Sequence, residues 1–216
     1  MKTTEVLKTF KNIFEESKFE EAKEYLIKYE DAFEKNVFSY NRGVVDFNLS
    51  NFSYAKLHLE RAVKNGFDSK EARKLLTDID QNLSITRAQE AVTIQDNLIE
   101  KTEFLSIDIA LIFSLVLLVG GTLSLKKIYG TSLKIACLFV TAIPLVWTLY
   151  YMTNFTSYIA LEERELREGP SKLFEDTFTM PAGIKYVISK RYKNWGYVTY
   201  PEKYSGWLKL KLKEQI

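Results

Sequence analysis

"SKFEEAKEYL" (residues 17–26) and "SNFSYAKLHL" (residues 50–59) share one pattern at a spacing of 33 residues: Phe19 aligns with Phe52, Ala22 with Ala55 and Leu26 with Leu59. The matched positions recur every three or four residues, so each segment is read as an amphipathic helix that buries the shared side chains. A repeat of this length points to stacked helix pairs, because one pair cannot cover its own apolar face and needs a neighbour laid against it. In the second unit "YNRG" (40–43) brings Gly43 to a place where two helices approach closely; the first unit has Phe10 where the small residue is expected. "DSKEARKLLTDIDQNL" (68–83) reads as a capping helix, opened by Asp68 or Ser69 as N-cap and carrying Glu71 in its first turn.

On these residues and this period, segment 1–83 resembles the tetratricopeptide repeats, whose period is about 34 residues. The resemblance implies a concave face, lined by the first helix of each pair, that holds an extended segment or a helix of another protein. The implied partner-binding residues are Lys11, Phe14 and Glu15, beside Leu7, from one unit, and Tyr40, Phe47 and Asn48, beside Val44, from the next. Packing of several of them against the capping helix is the alternative. His58, the only histidine, falls among charged neighbours on the second helix of its unit, is expected on a solvated surface, and has no metal-ligand set around it. Residues 84–104 place Ala88, Ala91, Val92, Leu98 and Ile99 on one helical face and are expected to form a connecting helix.

Two apolar blocks follow, Leu105 to Leu125 and Leu133 to Thr153. Each is long enough, at about 1.5 Å per residue, to reach across a hydrocarbon core of about 30 Å, so residues 105–153 are expected to form a transmembrane hairpin. Gly120 and Gly121 allow close helix approach, Pro144 kinks the second helix, and Asp108 sits near a boundary. The connection "KKIYGTSLK" (126–134) is rich in lysine, which favours a cytoplasmic loop with both ends extracytoplasmic. The alternative is that both ends are cytoplasmic, since no apolar leader follows the first lysine.

After residue 154 the periodicity becomes that of strands. "KYVIS", "WGYVTY" and "GWLKLKLK" are separated by the turn signals "REGPS", "MPAG" and "PEKYSG", and Leu208, Leu210 and Leu212 alternate with lysines. A small barrel is expected, with Gly169 and Pro170 bending the chain and Arg167 on the strand before them. The order of "LREGPS" (166–171), "MPAG" (180–183), "NWGYV" (194–198) and "SGWL" (205–208) resembles the bacterial SH3-like domain over residues 160–216. Some such domains bind cell-wall peptides, which implies Tyr192, Trp195 and Tyr197 as an aromatic surface; Trp207 is expected to be structural.

The fold class expected for the whole chain is an α + β multidomain membrane protein: a tetratricopeptide-like array (1–83), a connecting helix (84–104), two membrane helices (105–125 and 133–153) and an SH3-like barrel (160–216). That order resembles the E-type proteins of the Bacteroides aerotolerance (Bat) operon group, and the resemblance implies a bacterial inner-membrane location with both ends periplasmic, and von Willebrand A-domain proteins and, indirectly, a MoxR-type AAA ATPase as partners. The function expected is that of a non-enzymatic, membrane-anchored adaptor, with peptidoglycan binding as the alternative. No phosphate-binding loop, zinc-protease motif or nucleophilic triad is present, and no cofactor or metal is expected. A net charge of +2 is too mild to suggest nucleic acid, and the single cysteine, Cys137, excludes a disulfide framework within the chain.

Overall fold

The computed structural model describes residues 3–83, 107–124, 131–154 and 156–216. The expected connecting helix at 84–104 and residues 126–130 of the expected loop lie outside the described residues. The chain divides into two compact units, one made of the N-terminal helices together with the C-terminal sheet, the other of the helix pair between them.

The first unit opens with α1 (Thr3–Glu15), α2 (Phe19–Lys28), α3 (Lys35–Asn48), α4 (Phe52–Lys64) and α5 (Lys70–Asn82), each packed on the next. The 33-residue repeat has a backbone counterpart. Ser17 and Ser50 both adopt left-handed φ angles, 58° and 60°. The amides that follow reach back five residues, Lys18 to Ile13 (3.3 Å) and Asn51 to Asp46 (2.9 Å). Ser17 and Ser50 themselves donate to Phe14 and Phe47. These are matching Schellman turns, each ending a helix and redirecting the chain into the next. Beyond them Ala22, Leu26, Ala55 and Leu59 are fully buried, as the shared pattern requires. A Cβ on Gly43 would come within 2.6 Å of the Leu59 side chain, so the α3–α4 approach depends on glycine there. Ser69 caps α5 by accepting the Ala72 amide at 3.1 Å.

The sheet consists of β1 (Thr156–Ile159), β2 (Arg164–Arg167), β3 (Asp176–Met180), β4 (Lys185–Tyr192), β5 (Trp195–Tyr200) and β6 (Gly206–Lys209). Its order is β1-β4-β5-β6-β2-β3, and the pairings within β2–β3, β2–β6, β4–β5 and β5–β6 are antiparallel. The expected barrel is therefore corrected to one open sheet. The reason lies at its two ends: β3 leaves four of its five residues exposed, and β1 is met by the last residues of the chain through a Tyr158–Gln215 bridge. The expected Leu-Lys alternation also stops short. β6 ends at Lys209, Leu212 is 79% exposed, and a 3-10 turn over Leu212–Glu214 swings Glu214 into the core instead. There the buried Glu214 carboxylate accepts the Tyr186 hydroxyl at 2.8 Å and lies 3.5 Å from Arg164. Tyr158 stacks on Tyr186 with ring centres 5.4 Å apart.

Helices and sheet are joined through α4. Leu57 packs against Ile159, Leu161 and Ile216, and Leu83 touches both the helical core and the sheet core. Arg61 donates to the carbonyls of Gln215 (2.9 Å) and Lys213 (3.0 Å), and Lys185 pairs with Glu60 at 3.2 Å. The helical array and the strand region, expected as separate modules, are thus one packed body, α-helical on one side and β on the other.

In the second unit α6 (Ile107–Ser124) and α7 (Thr131–Asn154) pack together, with Gly121 against Thr141 and a Ser114–Thr148 hydroxyl contact at 3.3 Å. No helix among the described residues is long and apolar enough to cross a membrane. In α7 Lys134, Thr141, Pro144 and Thr148 interrupt the apolar run. The transmembrane hairpin, the membrane as partner, the bacterial inner-membrane location and its sidedness are corrected accordingly. Both helices carry exposed apolar side chains, Phe113, Val116, Phe139 and Val140 among them.

Replacing Glu214 by Ala would leave the buried Arg164 with only the exposed Glu162 as its acid, and the Tyr186 hydroxyl without its acceptor. A loss of about 3 kcal/mol is expected, read as a lower urea midpoint at unchanged slope.

Candidate functional site

Strand β5 alternates strictly, with Gly196, Val198 and Tyr200 buried and Trp195, Tyr197 and Thr199 partly exposed. Directly paired residues in antiparallel strands share a face, so the register extends that outer face to both neighbours. One row joins Lys190, Tyr197, Trp207 and Arg167 across β4, β5, β6 and β2; the next joins Tyr192, Trp195 and Lys209. Tyr197 meets Trp207 edge-on with centroids 5.5 Å apart, and the Lys190 ammonium stands 5.8 Å from the Tyr197 ring.

At one end of this face an open groove of about 570 Å³ is lined by Pro170, Ser171, Tyr192, Lys193, Asn194, Trp195 and Lys209. Both walls are braced. The β2–β3 loop is gathered by Arg167, which donates to the carbonyls of Lys172 (2.7 Å) and Phe174 (3.2 Å) and pairs with Asp176 at 3.0 Å. The Phe174 ring lies where a Cβ on Gly169 would project, at 2.5 Å, so glycine is needed at this corner. Opposite, Lys193 and Asn194 make the two-residue turn between β4 and β5, held by the Leu210 amide on the Asn194 carbonyl at 2.8 Å. Lys193 takes a left-handed φ of 51° and sets its ammonium 5.4 Å from the Tyr192 ring centre. A non-glycine residue in that region is costly and is tolerated where the surroundings require it.

Tyr192 and Trp195 thus border the groove, while Tyr197 lies one row further along the same face. The residues expected to line a repeat groove are placed differently from one another. Phe14 is in the helical core, between Phe10 and Phe19. Tyr40 packs on Phe67 at 4.5 Å and Phe47 on Phe52 at 5.8 Å. Lys11 and Glu15 form an exposed pair at 3.6 Å, and Asn48 donates to Val44 one turn back in its own helix. The groove residues that sequence reasoning passed over are Ser171, Lys193, Asn194 and Lys209; the tight "KN" step between two strands was the available signal.

A second concentration of charge is internal. Asp46 is fully buried, 3.2 Å from Lys23 and 3.6 Å from Arg42, with His58 Nε2 at 3.7 Å. His58 is not on a solvated surface: its side chain is 13% exposed and lies against Asp46 of the preceding helix. Burial first, then Arg42, Arg61 and Lys23, push its imidazole down to about 3. The one facing acid, Asp46, is already shared between Lys23 and Arg42 and does not offset them. Among the described residues no group of His, Cys, Asp and Glu side chains could hold a metal ion. Comparison with protein-family models, curated proteins and solved structures finds no match for the chain.

Two outcomes follow from these geometries. Lys193→Gly keeps stability within about 1 kcal/mol of the parent, whereas Lys193→Val, β-branched at the same φ, lowers it by more; equal losses would show that the side chain matters and the backbone does not. For His58, the unfolded chain binds a proton near pH 6.5 and the folded chain only near 3. Stability is therefore full above about pH 6.5 and declines as pH falls toward 3, by on the order of 4 kcal/mol from this group. Urea unfolding across that range should show a shallower decline in His58→Gln.

Proposed function

We propose that the protein is a non-catalytic adaptor that binds an extended segment of another protein across the outer face of its sheet. The observation that carries this reading is the braced groove between the Gly169–Phe174 loop and the Lys193-Asn194 turn, with aromatic rings and lysines on its walls. Groove residues of this kind supply area at low conformational cost, since Tyr and Trp have few rotatable bonds and amphipathic rings. Nothing lining it is a nucleophile backed by a base, the arrangement that acyl or phosphoryl transfer would need. The joining of sheet and helices through α4 supports a scaffold, because a partner held on the sheet is then held in fixed relation to the exposed faces of α1 to α3. The Bat-group resemblance depends on an order of segments in which the membrane hairpin and the barrel are corrected, so no particular partner is carried over from it.

Affinity capture with the full chain, side by side with the Tyr192→Ala/Trp195→Ala double variant, tests the reading. Partners retained by the parent should be lost by the variant, with thermal stability within a few degrees of the parent. An identical partner set from both would overturn the groove as the site, and sedimentation with cell-wall sacculi without any protein partner would overturn the adaptor reading in favour of a wall ligand.

A further inference from the structure

The outer face of the sheet carries charges of both signs, with its acids, Glu165 and Asp176, gathered at the β2–β3 edge around Arg167. Arg167, at the end of the first row, is already engaged by Asp176 at 3.0 Å and Glu165 at 3.4 Å. Lys190, Lys193 and Lys209 are different: among the described residues none of them pairs with a carboxylate. They stand on β4, on the β4–β5 turn and on β6, interleaved with Tyr192, Trp195, Tyr197 and Trp207. Unpaired lysines around half-buried aromatics make a surface that is complementary to an anion attached to apolar groups.

From this complementarity we infer that the bound segment is an acidic extended peptide, its carboxylates meeting Lys190, Lys193 and Lys209 and its apolar residues lying on the aromatic rows. The inference rests on the adaptor reading and narrows it to a class of partner. Spacing follows from sheet geometry. Lys190 and Lys209 lie two strands and one row apart, roughly 10 Å across and 7 Å along, or about 12 Å on the diagonal. An extended chain advances about 3.3 Å per residue, so acids three or four positions apart reach both. A single-stranded nucleic acid, the other anion that favours aromatic surfaces, needs open ring faces for base stacking. Here lysines stand over Tyr192 and Tyr197, and Trp207 meets Tyr197 edge-on, which suits a peptide.

The test uses the full chain and fluorescence anisotropy with a labelled 12-residue probe, Glu-Pro-Leu-Glu repeated about three times, its Gln-Pro-Leu-Gln counterpart, and a labelled oligo-uridine of similar length. The acidic peptide is expected to bind about tenfold tighter than the neutral one, the difference that three exposed ion pairs supply together. That advantage should shrink as salt rises and vanish in Lys190→Gln/Lys193→Gln/Lys209→Gln, while Lys74→Gln on α5 leaves it intact. Equal binding of the acidic and neutral peptides would overturn the acidic-partner inference and leave the adaptor reading standing. Binding of oligo-uridine with neither peptide bound, or of no probe at all, would overturn both.

Discussion

Helix α4 is held between the other helices and the sheet, and the arrangement of the first unit depends on that enclosure. Its Ala55 and Leu59 face the neighbouring helices, while Leu57 meets Ile159, Leu161 and Ile216 of the sheet. Arg61 adds what packing alone does not: its guanidinium takes carbonyls of the last residues of the chain, which are not paired in a regular ladder at that point. A backbone segment without strand partners carries unsatisfied carbonyls, and a planar cation with several donors satisfies two of them at once. The same segment places Glu214 beside Arg164 and Tyr186, so the helix–sheet contact and the interior of the sheet share one stretch of chain.

This enclosure explains which parts of the structure the sequence displays. The helical repeat is legible because its cause is local: apolar residues three and four apart, and a left-handed Ser at the same place in each turn, are properties of a few neighbouring positions. The strands are legible for the same reason, through alternation and turn residues. The packing of α4 against the sheet is not, since its contacts join residues 57–64 to residues 159–216 and no periodicity within either segment encodes the pairing. His58 shows the consequence. Its charged neighbours in sequence, Lys56, Glu60 and Arg61, suggest solvent, yet its side chain lies against buried Asp46 of the preceding helix, which Arg42 also meets.

The open edge of the sheet is illegible in the sequence for a related reason. Alternating Leu and Lys at 208–213 describe a strand that continues, and continuation would have completed a barrel. What breaks the alternation is the partner waiting for Glu214: Arg164 and Tyr186 are more than twenty residues away in sequence and cannot be read from the pattern. A charged residue at a core position counts as surface in any local reading, although a buried carboxylate that meets a cation and a hydroxyl can dictate where the chain bends. The candidate site is partly legible. Tyr192, Trp195 and Tyr197 stand out as aromatics on strands, whereas the lysines that complete the face become visible only when the register sets Lys209 beside Trp195 and Lys190 beside Tyr197.

The two populations of cations in this unit have different work. Lys23, Arg42, Lys56, Arg61, Arg164 and Arg167 each hold a carboxylate or a carbonyl, and withdrawing any of them would leave an unpaired polar group behind. They cannot be offered to a ligand without loosening the fold. Among the described residues Lys190, Lys193 and Lys209 hold no carboxylate, so a ligand can engage them without breaking an internal ion pair. Their relative positions are nevertheless fixed, because direct cross-strand register ties β4 to β5 and β5 to β6, and the Leu210 amide ties the turn between the first two. Rigid backbone under unpaired charge is what allows a surface to discriminate by spacing as well as by sign.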